Sequence, residues 1–125
     1  NVVGKGDREE QVSVWVTTLD KVMAGRSFDF MKMDIQGMES AALVGGLNCL
    51  VSSPNAKALV EYCPVCLEAC GSGREEFVNL LFKKWNNVGL IGNVNGSVGV
   101  VNLSRDEVVN MCGYTEDFYV NLWCW

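Results

Sequence analysis

The chain contains no histidine, and its basic residues are in the minority: 10 Lys and Arg against 15 Asp and Glu, a net charge of −5 over 125 residues. Without imidazole, any acid–base chemistry falls to a carboxylate, Lys, Tyr or Cys. The shortage of positive charge argues against nucleic acid, where clustered basic side chains displace counterions from phosphates. It also argues against an anionic membrane surface. No apolar run approaches the ~20 residues needed to cross a bilayer, so no transmembrane segment is expected. The sequence opens on Asn1 with neither Met nor a basic and apolar leader. That start leads us to expect a fragment or processed product without a signal peptide, with the cytoplasm favoured over export. The oligomeric state is left open.

Cysteine is present but not dense. Six in 125 residues fall short of the roughly 8–10% of a disulfide scaffold. Three of them form Cys63-Pro64-Val65-Cys66-Leu67-Glu68-Ala69-Cys70, with Cys112 and Cys124 as candidate further ligands. A four-cysteine zinc site needs two C-x-x-C pairs, and there is only one. The cysteines therefore read first as buried free thiols, ahead of a metal site or a redox role.

Hydrophobic residues make up 49% of the chain and charged residues 20%, which suits a globular fold rather than a disordered tail. Neither an internal repeat nor a linker divides residues 1–125. Residues 1–10 read as loop, and the period-two alternation of 11–19 predicts a strand. A helical turn follows at 21–25 and a second strand at 28–35. Apolar spacing predicts one helix from Met38 to Val51, weakened by Gly45 and Gly46. A third strand covers 56–62 and leads into the cysteine-rich loop. Ser72 and Glu75 have capping-box spacing before a helix at 74–87. A fourth strand at 88–94 turns at Asn95-Gly96 and pairs back through 98–103. Ser104 and Glu107 begin a short helix to Cys112 that stops at Gly113, and the last strand is 118–125. This alternation predicts an α/β domain with a largely parallel sheet.

In an open α/β sheet, ligands gather beyond the carboxyl ends of the strands. Asp20, Asp34 and Glu61 each fall at such an end, on three expected strands. They either converge on a polar site or cap the helices that follow. The stretch Lys32-Met33-Asp34-Ile35-Gln36-Gly37-Met38-Glu39 carries the most information. One carboxylate leaves a strand, a glycine permits a tight turn, and a second carboxylate enters the first helical turn, where it favours the positive helix end.

Thr17-Thr18-Leu19-Asp20, the Asp29 to Glu39 stretch, Leu43-x-Gly45-Gly46 and Leu59-Val60-Glu61 together resemble the FkbM-type methyltransferase family, in order and spacing over about residues 12–90. Gln36 stands where that family usually has Glu, and Gly46 where it often has Ala. The family's Gly-rich cofactor loop has no counterpart here. The resemblance therefore implies a Rossmann-like class I methyltransferase fold represented by its C-terminal portion, a partial domain with a mostly parallel sheet and an antiparallel last strand. It implies S-adenosylmethionine as cofactor and methylation of a hydroxyl on a small molecule or glycan. By position it assigns Asp20, Asp34 and Gln36 to the cofactor, Asp34 to catalysis, and Glu39 and Glu61 to the substrate side. Lys32 is the second choice as base, taken to lie off the Asp34 face. No resident metal is assigned, although Asp34 and Glu61 have the oxygen chemistry of a divalent-cation pair. The alternative from another class is a non-catalytic remnant of the fold that binds a partner.

Overall fold

The computed structural model describes residues 13–111 and 118–125. The expected loop at 1–10, the first two residues of the expected strand at 11–19, and Cys112 with the Gly113 stop lie outside them.

The elements run α1 (Leu19–Met23), β1 (Phe30–Met33), α2 (Glu39–Val44), α3 (Leu47–Val51), β2 (Lys57–Tyr62), α4 (Pro64–Ala69), α5 (Arg74–Lys84), β3 (Val88–Val94), β4 (Ser97–Leu103), α6 (Arg105–Val109) and β5 (Val120–Cys124). The five strands form one sheet in the order β1-β2-β5-β3-β4. Here the expectation of a mostly parallel sheet is corrected. Only β1 and β2 pair in parallel; β2 with β5, β5 with β3, and β3 with β4 are antiparallel. The last strand does run antiparallel to its neighbours, and its insertion between β2 and β3 reverses two pairings at once. Strands β1, β2 and β3 still point the same way, but β3 touches neither of the other two. The β4 hairpin supplies the third reversal, through Asn95 and Gly96 at φ 52° and 83°, as a two-residue turn with the twist of its strands requires.

Alternation along β2 explains where the core sits. Ala58, Val60 and Tyr62 are buried, as are Leu122 and Cys124 opposite them on β5. These share one sheet face and one apolar cluster with Leu43, Leu50, Leu67, Phe77, Leu81 and Val108, so α2 to α6 all contribute to that face. The opposite face carries Phe30, whose ring lies 5.9 Å from that of Trp123.

Three further expectations change. Residues 13–18 carry no strand; Val14, Trp15 and Val16 are all exposed, and no described strand lies alongside to accept their hydrogen bonds. Both parities of the alternation face solvent, so the pattern has no sheet to express itself in. The helix expected over 38–51 breaks at Gly45 and Gly46 into α2 and α3. A side chain at 46 would strike Leu19 of α1, 2.8 Å from its nearest carbon, so α1 packs against the glycine break. The Ser72–Glu75 capping box does not form. Gly73 is the N-cap of α5, and the Ser72 hydroxyl donates instead to Ser40 Oγ at 2.6 Å. The second box, Ser104 with Glu107, forms as the spacing predicts.

Candidate functional site

The parallel pairing of β1 with β2 ends at Met33 opposite Val60. One residue further along both strands come Asp34 and Glu61, on the face opposite those two buried side chains. The chain then turns sharply: Gln36 has φ 55° and Gly37 φ 100°. Glycine tolerates that region freely, whereas a glutamine held there marks a turn that its surroundings enforce.

What enforces it is visible on both sides. Glu39 is buried, and its Oε1 accepts the Ile35 amide at 3.0 Å, closing the turn from within. Below, Gly37 lies directly on α4, where any side chain would overlap the Cys66 carbonyl and approach Cys70 Sγ to 2.9 Å. The Cys70 thiol donates to the Gln36 carbonyl at 3.7 Å.

Held this way, Gln36 joins the two carboxylates. Its Nε2 donates to Asp34 Oδ1 at 3.1 Å and to Glu61 Oε2 at 3.0 Å. Lys32 Nζ lies 3.3 Å from Asp34 Oδ2, which corrects the expectation that Lys32 lies off the Asp34 face. Residues two apart on a strand share a face.

The two acids are driven in opposite directions. The Lys32 ammonium beside Asp34 holds its carboxyl below the usual range, with Gln36 adding to the effect and partial burial opposing it. Burial pushes Glu61 up, and the neighbouring Asp34 charge pushes it further. One carboxylate is fixed as an anion while the other is the more basic, a division suited to acid–base work.

Asp20 is elsewhere. Its Oδ1 accepts the Cys49 amide at 2.8 Å, and its Oδ2 accepts Asn48 Nδ2 at 2.9 Å and the Asn48 amide at 3.2 Å. These amide bonds at the start of α3, led by that from Cys49, lower its pKa. Asp20 thus takes the capping alternative, although on α3 rather than on the helix that contains it.

Alongside the Gln36 turn runs a groove of about 580 Å³. Residues of 16–22 form one wall, and Ile35, Met38, Ala41, Ala42 and Gly45 form the other. Ile35 and Met38 flank the turn and line the groove, whereas Asp34, Gln36 and Glu61 do not line it. A smaller apolar pocket of about 140 Å³ between α2, α3 and α5 shares no residue with it.

Residues 2–86 match the profile of the methyltransferase FkbM domain. The chain belongs to the FkbM methyltransferase domain family. The matched span takes in Asp20, Asp34, Gln36, Glu39 and Glu61, and stops after α5, before β3. No curated protein and no solved structure matches the chain. At the family level the protein is a methyltransferase, and such enzymes in general use S-adenosylmethionine.

Sequence reasoning missed the state of the cysteines. Cys63 and Cys66 are joined in a disulfide, the residues expected to be loop form α4, and Cys70 is free and exposed. The C-x-x-C spacing directly after a strand was the available signal. Among the described residues, no group of three or more His, Cys, Asp or Glu side chains is arranged to hold a metal ion. No helix among them is long and apolar enough to cross a membrane.

Proposed function

We propose that this FkbM-family domain carries out S-adenosylmethionine-dependent methyl transfer to a hydroxyl oxygen of a small molecule or glycan, on a Rossmann-like scaffold of which these residues form the C-terminal portion. The observation that carries the reading is the Asp34–Gln36–Glu61 cluster, at the carboxyl ends of two parallel strands, where the residues flanking the Gln36 turn line an apolar groove.

The residues present suit that cofactor. The groove offers apolar walls for a flat base, and the carboxylates nearby suit a positively charged sulfonium. When bound, the cofactor supplies an electrophilic methyl carbon. The chain's own part is alignment and proton handling. Asp34, kept ionised by Lys32, provides the fixed negative charge. Glu61, the more basic carboxylate, takes the proton of the acceptor hydroxyl; the raised pKa makes it a better base than Asp34, which sequence alone favoured. Gln36 keeps the two in register, Glu39 holds the turn that carries Gln36, and Asp20 ties α1 to the start of α3.

Calorimetric titration of the protein, at the full length its gene encodes, with S-adenosylhomocysteine tests the cofactor reading. Binding is expected, weakened at least tenfold by Asp34→Ala, and no binding would end the proposal. Glu61→Gln is expected to lower turnover by about 100-fold or more, the usual loss with a general base. Unchanged turnover would remove Glu61 from that role.

A second reading, a partner-binding module, is favoured by one observation. Among the described residues β1 pairs on one edge only, and Phe30 and Trp125 are exposed nearby on the sheet. Stable association with another chain, without S-adenosylhomocysteine binding, would select it.

A further inference from the structure

The Cys63–Cys66 disulfide begins two residues beyond Glu61, and the backbone of Cys66 lies against Gly37 of the Gln36–Gly37 turn. Cys63 is buried, whereas Cys66 is half-buried. The Cys66 carbonyl and Cys70 Sγ form the floor on which Gly37 rests, and Cys70 also bonds the Gln36 carbonyl. Cys63 caps the start of α4, Cys66 lies within it and Cys70 caps its end, so this short helix touches the turn that places the Gln36 amide between both carboxylates.

We propose that Cys63 and Cys66 form a reversible thiol–disulfide site, open to a dithiol reductant, whose state sets the position of Gln36 between Asp34 and Glu61. Only its consequence for turnover rests on the methyl-transfer reading; the exchange itself does not. The reductant's thiolate attacks Cys66 Sγ, on the less buried of the two residues, and forms a mixed disulfide. The Cys63–Cys66 bond breaks and its electron pair leaves on Cys63 Sγ. That sulfur already accepts the Cys66 amide at 3.3 Å, and then takes a proton from water. The reductant's second thiolate closes on its own partner sulfur, releasing Cys66 as a thiolate that is protonated in turn. Two electrons pass to the protein, and the reductant becomes a disulfide. With the bond open, Cys66 is no longer tied to Cys63, so the Cys66 carbonyl can move and the turn above it follows.

The test uses the ¹⁵N-labelled protein in buffers of graded reduced and oxidised dithiothreitol. Samples are quenched with N-ethylmaleimide and mapped by peptide mass spectrometry. Labelling of Cys63 and Cys66 should rise together, running from one-tenth to nine-tenths over roughly an eighty-fold change in the dithiol ratio, as one-to-one exchange requires. The buried Cys49 and Cys124 should stay unlabelled in the folded protein. The side-chain amide resonances of Gln36 should shift with the same midpoint and return on reoxidation. A Cys63→Ala/Cys66→Ala variant should hold them at the reduced position; should it not fold, the wild-type titration decides alone. Two cysteines that never pair, or a disulfide that no dithiol opens, would overturn the site. A clean transition with Gln36 unmoved would overturn the coupling. Neither readout involves the cofactor or turnover, so an absence of methyl transfer would leave both results standing.

Discussion

Replacing Gly37 by alanine tests whether the turn that carries Gln36 is held by α4 or stands alone. Two costs apply. Gly37 has φ 100°, a region that costs an L-residue roughly 1–2 kcal/mol. A methyl there also meets the Cys66 carbonyl, which belongs to helix backbone and cannot rotate away as a side chain would. Overpacking of this kind adds about 1–3 kcal/mol. Gly71 provides the control: its φ is 83°, but a side chain there meets nothing within 4 Å. Gly71→Ala should therefore lose only the backbone part, and the difference between the variants isolates contact with α4. In urea melts we expect Gly37→Ala to fall below Gly71→Ala by about 1–3 kcal/mol, with unchanged slope. The Gln36 side-chain amide resonances should move in the first variant and not the second. Equal losses within about 0.5 kcal/mol would refute the claim that α4 positions the turn.

Two further outcomes follow from the same geometry. Because the folded pKa of Glu61 is raised, chiefly by burial, its stabilising contribution is fully present below its ordinary value and is lost as pH rises through the raised one. Glu61→Gln removes that loss, so urea melts at pH 4.5 and pH 8 should show the variant gaining on the wild type at the higher pH; parallel pH dependence would contradict the cause given. Trp85 Nε1 donates to the Ala56 carbonyl at 2.6 Å, with both residues buried. Trp85→Phe leaves that carbonyl unpaired and should cost about 1–3 kcal/mol in the same assay; a loss below about 0.5 kcal/mol would mean that the bond contributes little.

Where sequence reasoning succeeded and failed has a physical pattern. Strands β2 and β3, helix α5 and the Asn95-Gly96 hairpin were legible because local pattern and tertiary environment agree there: β2 alternates and is buried on one face only. The strand expected at 11–19 failed in its described part because alternation describes a surface, and a strand needs a neighbour. Sheet direction failed for a related reason. An α/β alternation sets the direction of the alternating strands but not which strands become neighbours, and the antiparallel β5 enters between β2 and β3. At the site, Asp34 and Glu61 were legible as strand-end acids. Their junction through Gln36 was not, because it depends on a positive φ that no local residue preference announces.

The four acids singled out from the sequence differ in what occupies their oxygens, and this separates binding groups from structural ones. Asp20 is taken up by amides at the start of α3, and Glu39 accepts the amide of Ile35. To free either one, a ligand would have to undo a helix start or a turn. Among the described residues, the hydrogen bonds to the Asp34 and Glu61 carboxylates come from side chains, and the two share one donor, Gln36 Nε2. A ligand can displace a side-chain partner at the cost of a rotamer, so these two can exchange their present contacts for a substrate or cofactor. Gln36 also gives meaning to the departure from the usual family residue. A glutamate there would bring three carboxylates together, and a proton or cation would be needed to hold them. The amide achieves the junction with its own two N–H groups, keeping both carboxylates at one point in a chain that has no histidine to share their proton.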